Sequence, residues 1–377
     1  MNHYEVIVVG GGVMGCATAY HLAKRGRRVL LLEQFAIGHE RGSSHGHSRI
    51  FRLVYDAPDY VELARAAYPL WRELESEAGV DLLLQTGGFD FADPATQSIE
   101  DTRATLVATG VPFELLDHAA VVQRFPQFAI SERVVGIYQP DTGILDATKC
   151  VLTLASEAQS RGAIVQDKQP VRQIQTSDAG IVVHTDTAMY AADRLVVTAG
   201  SWARPLLSQV GLDLPLTVTK EQFAFFKPHD PELFAPGRCP IFVHHMAVGP
   251  AVYGFPMYGL PGVKAAFHNA GPAIAPEIDD RDVDLDRLTE LQAHLTRWLP
   301  QGAGDILLAQ TCRYTCTPDH EFIIDQHPEY PQIVIGSPCS GHGFKFGVLI
   351  GSILADLTER GETSEPIERF RLGRFGL

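Results

Sequence analysis

Apolar and polar positions alternate in long blocks along the chain, and the first block is the most regular. Val6-Ile7-Val8-Val9 is a β-branched run without a polar break, the pattern of a parallel strand buried on both faces. Gly10, Gly12 and Gly15 follow it, then a helical pattern over about 14–25 closed by Gly26, then a second apolar strand over 29–32 ending on Glu33. In such a βαβ unit the first glycine permits a tight turn. The second lets a pyrophosphate approach the backbone, and the third lets helix and strand pack closely. The helix N-terminus offers unpaired N–H groups to phosphate. Glu33, 23 residues after Gly10, stands where an acid accepts hydrogen bonds from ribose hydroxyls and repels a 2′-phosphate. The pattern predicts a dinucleotide site disfavouring NADP, and it does not separate FAD from NAD.

The apolar rhythm then lapses. Residues 39–49 are polar and rich in Gly, His, Ser and Arg, and the run 50–55 resumes apolar character with Arg52 inside it. An arginine there is either solvated on an edge or held facing a ligand. Asp59 can N-cap a helix to about Ala78, with Leu63, Ala67, Leu70, Trp71 and Leu74 on one face. Residues 81–148 read as short strands with Pro and Gly breaks and no βαβ rhythm. That rhythm returns with a helix over 147–161, strands near 163–165, 180–183 and 190, and a buried strand at 195–198 ending in Ala199-Gly200. Aromatic and β-branched runs over 215–271 predict a mostly antiparallel sheet. A helix over 284–298, strands over 322–325 and 333–336 and a helix to about 357 complete the chain. The expected fold is α/β. Residues 1–80, 147–214 and 310–377 form a discontinuous Rossmann-type domain, and 81–146 and 215–309 an inserted, mostly antiparallel substrate domain.

At 377 residues with 45% hydrophobic positions the chain can bury two cores. Its net charge of −14 argues against a nucleic-acid partner and requires locally placed cations for any anionic substrate. The six cysteines show no C-x-x-C or Cys/His spacing for a metal. No signal-peptide pattern or apolar run of membrane length is present, so a reducing cytoplasm and no membrane partner are expected.

Four blocks then carry a resemblance: VIVVGGGVMGCATAYHLAKRG, GSSHGHSRIFR, CRYTCTPDHEFIIDQHP and SGHGFKF, with FRLGRF near the end. Over essentially its whole length the chain resembles the monomeric sarcosine oxidase family, which includes N-methyltryptophan oxidase and peroxisomal pipecolate/sarcosine oxidase. The resemblance implies a glutathione-reductase-like FAD domain and a monomer. It implies covalent attachment of FAD through an 8α-S-cysteinyl link at Cys312, favoured by cations that lower the thiol pKa; Cys316 would only pack. Gly10, Gly12, Gly15, Glu33, Ser43, Ser44, His45, Ser48, Arg49, Gly341, Gly343, Phe344 and Lys345 would contact the cofactor, with His45 and Arg49 near its ring. Arg52 and Lys345 would grip a substrate carboxylate. Tyr253 and His268 would line the substrate cavity, and Lys264 would stabilise the charge formed when oxygen is reduced.

The implied activity is oxidation of a secondary-amine amino acid, sarcosine or another N-methyl-L-amino acid. The imine hydrolyses to formaldehyde and the demethylated amino acid, and O2 becomes H2O2. A cyclic imino acid (L-pipecolate or L-proline) oxidase is the alternative. A dehydrogenase using an electron carrier and a non-catalytic flavin-binding protein are further rivals; Lys264 argues against the first, and Arg52, Lys264, Cys312 and Lys345 together against the second. The chain departs from the family at Asp56-Ala57-Pro58, which lacks the glutamate expected at position 57 in a stretch that helps cover the active site.

Overall fold

The computed structural model describes residues 2–93, 96–177 and 180–377. Its first sheet is built around Asn2–Val9, which runs parallel between Val29–Leu32 and Met189–Val197. Ile164–Gln166 continues the parallel order beyond Val29–Leu32, and Ile333–Ser337 lies parallel to the end of Met189–Val197. Antiparallel strands Val171–Ser177, Gly180–Thr185 and Ile323–Gln326 complete the sheet. Val6 and Val8 point into one apolar layer, where Val13–Lys24 packs on Gly347–Arg360 and Ala147–Ser160. Ile7 and Val9 point into the other, with Leu195 and Ile335. Two-sided burial is why these strands read as unbroken apolar runs.

The second sheet has the order Ile306–Cys316, Thr217–Phe226, Val263–Phe267, Val252–Phe255, Ile241–His244, Gly88–Ala92, Val135–Gln139 and Glu114–Leu116. Every pairing is antiparallel except Gly88–Ala92 with Ile241–His244. Leu285–Trp298 lays Leu288, Leu291, Leu295 and Trp298 on one face, among Phe89, Phe91, Phe226 and Phe242. Asp284 caps that helix, its carboxylate accepting from the N–H groups of Asp286 and Arg287. A small sheet of Arg49–Phe51, Gly143–Leu145 and Leu83–Gln85 is separate from both.

Three details differ from the sequence expectation. Helices Gln97–Thr109 and His118–Arg124 stand in the region read as strands. Asp59 does not cap the long helix Pro58–Ala78: Ala57 takes the cap position and Pro58 the first turn, where a missing N–H costs nothing. Ile306–Cys316 pairs with nearly the whole of Thr217–Phe226, which sets Cys312 opposite Glu221 in the second sheet.

Candidate active site

A cavity of about 790 Å³ runs from the glycine turn past Lys264 to Arg52 and Lys345. At its first end Gly10 has φ +104°, and a Cβ on Gly15 would stand 1.8 Å from the Gly10 carbonyl oxygen, so the turn admits only glycine there. Gly12 caps Val13–Lys24 without a side chain, and Ser44 Oγ accepts from Val13 N at 3.2 Å. Glu33 accepts from Gly11 N (2.6 Å) and Phe35 N (2.8 Å) and stands 3.3 Å from His39 Nε2. Burial opposes its ionisation, but His39 and the two N–H groups outweigh it and hold the carboxyl below its usual pKa. The backbone cradle, the open helix end and the ionised acid fit a dinucleotide.

Loop residues 43–49 fold over the middle of the cavity. Ser43 Oγ donates to Arg313 O (2.6 Å), and Arg49 donates to the carbonyls of Ser43 (2.9 Å) and Ser48 (2.8 Å). The Arg49 guanidinium lies 5.7 Å from the Phe344 ring centroid. His45 is buried with Nε2 unpartnered; burial, then the charges of Arg49 and Lys264, press its pKa to about 3. It is a neutral imidazole with a nitrogen in want of a partner, which fits a bound polar group.

Lys264, on Val263–Phe267, donates to Ser48 Oγ (3.0 Å) and Ser48 O (3.3 Å) and lies 4.2 Å from the Phe223 ring centroid. Burial, with Arg49 second, brings its pKa down to about 7. Cys312 lines this cavity and a smaller one of about 160 Å³ that also touches His45. The expectation that cations lower the thiol pKa is corrected here. Arg49 and Lys264 do pull it down, but burial is larger and pushes it up to about 11. Cys316 is buried, its Sγ 4.0 Å from Asn269 Oδ1.

At the far end Lys345 donates to Tyr55 Oη (2.7 Å) and His342 O (2.6 Å). Burial, then Arg52, drives its pKa well below the usual lysine value. Arg52 lies 5.0 Å from the Tyr55 ring centroid, so the tyrosine touches both cations. His268 is neutral, its pKa pressed to about 4 by burial and then by Arg52 and Lys345. Its ring is 6.4 Å from that of Tyr253, and Asn269 Nδ2 lies 3.3 Å from its Nε2. Gly341 has φ +80°, and a Cβ there would meet the Tyr314 ring at 2.4 Å; Gly343 and Phe344 line the same wall. Asp56 also lines the cavity.

All the residues expected at the site line this cavity except Gly15, packed beneath the turn, and His45, beside the smaller cavity. Sequence reading missed Asp90 and His245. Asp90 accepts from Arg52 Nη1 at 2.5 Å and from His245 Nε2 at 3.1 Å. A lone acid between Phe89 and Phe91 was the available signal.

The family profile described as FAD dependent oxidoreductase (DAO) matches residues 5–357. The chain is 36% identical over 372 residues to a monomeric sarcosine oxidase of Streptomyces avermitilis, covering 97% of this chain and 96% of the relative. It is 34% identical to the peroxisomal sarcosine oxidase of Homo sapiens, covering 99% of this chain and 96% of the relative. Among solved structures, NikD, an unusual amino acid oxidase essential for nikkomycin biosynthesis, superposes with a TM-score of 0.88 at 27% identity, covering 98% of each chain. Among the described residues no group of His, Cys, Asp and Glu could hold a metal, and no helix is long and apolar enough to cross a membrane.

Proposed function

The chain belongs to the FAD dependent oxidoreductase family, and from that premise we propose that it oxidises secondary-amine amino acids, with sarcosine or another N-methyl-L-amino acid as substrate. The observation that carries this reading is that one cavity joins the glycine turn, the buried Lys264 and the cation pair of Arg52 and Lys345. When bound, FAD supplies the two-electron acceptor for the C–N bond. Gly10, Gly12 and Glu33 would hold its dinucleotide part, and Ser43, Ser44, Ser48, Arg49, Gly341, Gly343 and Phe344 its remainder, with His45 offering a nitrogen. Cys312 would hold it covalently.

Arg52 and Lys345 bind the substrate carboxylate and thereby orient the amine. Tyr253 and neutral His268 wall the amine end and add no charge that would repel it. Apolar surroundings exclude water around Lys264, so a proton held on its Nζ acts at full strength on negative charge developing on oxygen. For an N-methyl substrate the balance is amino acid, water and O2 giving demethylated amino acid, formaldehyde and H2O2. The division into a cofactor domain (1–80, 147–214, 310–377) and a substrate domain (81–146, 215–309) belongs to the same proposal, with Ile306–Cys316 crossing its boundary because the whole strand pairs in the second sheet. So does a monomer in a reducing cytoplasm, a reading consistent with six free cysteines and with relatives named monomeric.

The test is a peroxide assay on the yellow holoenzyme with sarcosine, larger N-methyl amino acids, L-pipecolate, L-proline and glycine. Fastest turnover is expected with an N-methyl amino acid. Preference for pipecolate or proline transfers the reading to cyclic imino acids, and absence of peroxide with every substrate refutes it.

A further inference from the structure

The carboxylate-binding wall contains an anion that the proposed chemistry does not use. Asp90 lies in the middle of Gly88–Ala92, flanked in the sheet by Val135–Gln139 and Ile241–His244. Its side chain is 3% exposed, and Phe89 and Phe91 on either side belong to the apolar core. A carboxylate there is retained only with strong partners. One oxygen, Oδ1, takes two: Arg52 Nη1 at 2.5 Å and His245 Nε2 at 3.1 Å. An ionised carboxylate only accepts, so His245 must carry its proton on Nε2, leaving Nδ1 to face Ser98 Oγ at 3.4 Å. Arg52 and His245 both line the cavity while Asp90 stands behind them. The guanidinium therefore meets a ligand with one N–H already committed to a buried negative charge.

We infer that Asp90 is a specificity-determining residue: by neutralising Arg52 from behind, it makes the site select amino acids over simple carboxylates. This rests on the reading of Arg52 as a carboxylate contact. A ligand carboxylate on Arg52 is repelled by the charge behind the guanidinium. A simple anion bears that repulsion in full. In a zwitterion the ammonium, a bond or two away, is attracted by the same charge and cancels most of it. Asp90 thus costs a zwitterion little and a simple carboxylate much. At an effective dielectric constant of about 20, a unit charge one residue's width away changes binding by on the order of tenfold or more.

Two probes isolate this effect. Trimethylglycine and 3,3-dimethylbutyrate share shape and carboxylate and differ only in a fixed positive nitrogen against a neutral carbon. The quaternary nitrogen cannot be oxidised and has no proton to lose. Their dissociation constants would be read from the flavin absorbance change of the holoenzyme, for the parent and for Asp90→Asn. If the trimethyl group is excluded, glycine and propionate make the smaller pair.

Asp90→Asn should tighten 3,3-dimethylbutyrate relative to trimethylglycine by about tenfold. An unchanged ratio overturns the inference. If Asp90→Asn does not fold, Asp90→Asn/Arg52→Gln compared with Arg52→Gln gives the same ratio without leaving Arg52 unpaired. Arg52→Gln is also the separate control. If it leaves both probes bound as in the parent, the carboxylate reading of Arg52 has failed. If it weakens both while the Asp90 ratio stays fixed, only the selectivity inference has failed.

Discussion

Lys264 is held in a setting that opposes its own charge, and replacing it by methionine should therefore move stability and activity in opposite directions. Burial brings its pKa from 10.5 to about 7, which corresponds to about 5 kcal/mol set against the protonated form. The Ser48 hydrogen bonds and the Phe223 face, at 3.0 and 4.2 Å, are lost in the variant and offset part of that, leaving about 2–3 kcal/mol. The unfolded chain binds the proton up to about 10.5 and the folded chain only up to about 7. The penalty is thus full below pH 7, shrinks as pH rises between the two values and is absent above them. Lys264→Met should accordingly be more stable than the parent by about 2–3 kcal/mol at pH 6, with the gain fading by pH 10; denaturant titrations at the two pH values measure it. The oxygen reaction should respond the other way. Loss of one preorganised charge typically costs about 10²–10³ in rate, so reduced variant should react with oxygen that much more slowly, while anaerobic reduction by substrate changes little. In the parent the oxygen reaction should slow as pH rises past the Lys264 pKa, and in the variant this dependence should vanish. Stopped-flow absorbance separates the two half-reactions. A variant that reacts with oxygen at the parent rate would show that Lys264 does not serve oxygen. A variant no more stable at pH 6 would show that its charge is well compensated where it lies.

Cys312→Ser should release flavin into the supernatant on acid precipitation, whereas the parent should retain it in the pellet; free flavin from the loaded parent would refute attachment at Cys312. Because burial holds this thiol near 11, attachment should speed up as pH rises from 7 to 9 when apoprotein is mixed with FAD, read as acid-stable flavin against time. Arg52→Ala should lower kcat/KM by on the order of 10²-fold, for a charge-assisted pair of about 3 kcal/mol, and Lys345→Met should weaken inhibition by small carboxylates in parallel. Unchanged inhibition in both variants would refute the carboxylate assignment. Gly15→Ala would put a methyl 1.8 Å from the Gly10 carbonyl, so it should yield protein with little flavin by its visible-to-ultraviolet absorbance ratio.

What could be read from the chain before folding is what leaves a local mark. A strand buried on both faces must be apolar throughout, and a turn with a methyl-sized gap of zero must be glycine; both conditions are met within Val6–Gly15. Asp284 marks its helix because its cap bonds are to N–H groups two and three residues away. Helix Gln97–Thr109 left no comparable mark, since its buried face is Ile99, Thr102, Thr105 and Leu106, half of it threonine and so not apolar in pattern.

The cavity residues were legible as a set through their resemblance to a family, but their electrostatics were not. The sign of the Cys312 shift depends on whether dehydration exceeds the pull of two cations, and dehydration is a property of everything packed around the thiol. Asp90 is the sharper case. The sequence shows a carboxylate between two phenylalanines, and because successive side chains of a strand point to opposite faces, that pattern alone leaves open whether the carboxylate meets solvent or a cation. It cannot show which cation. Arg52 is 38 residues away, in a segment where solvation on an edge and attention to a ligand were equally open. In the folded arrangement Arg52 gives one N–H to Asp90 and also lines the cavity. A cation so divided is held in one place by its partner, and that is how an acidic chain of net charge −14 keeps a carboxylate as buried as Asp90 beside the cavity.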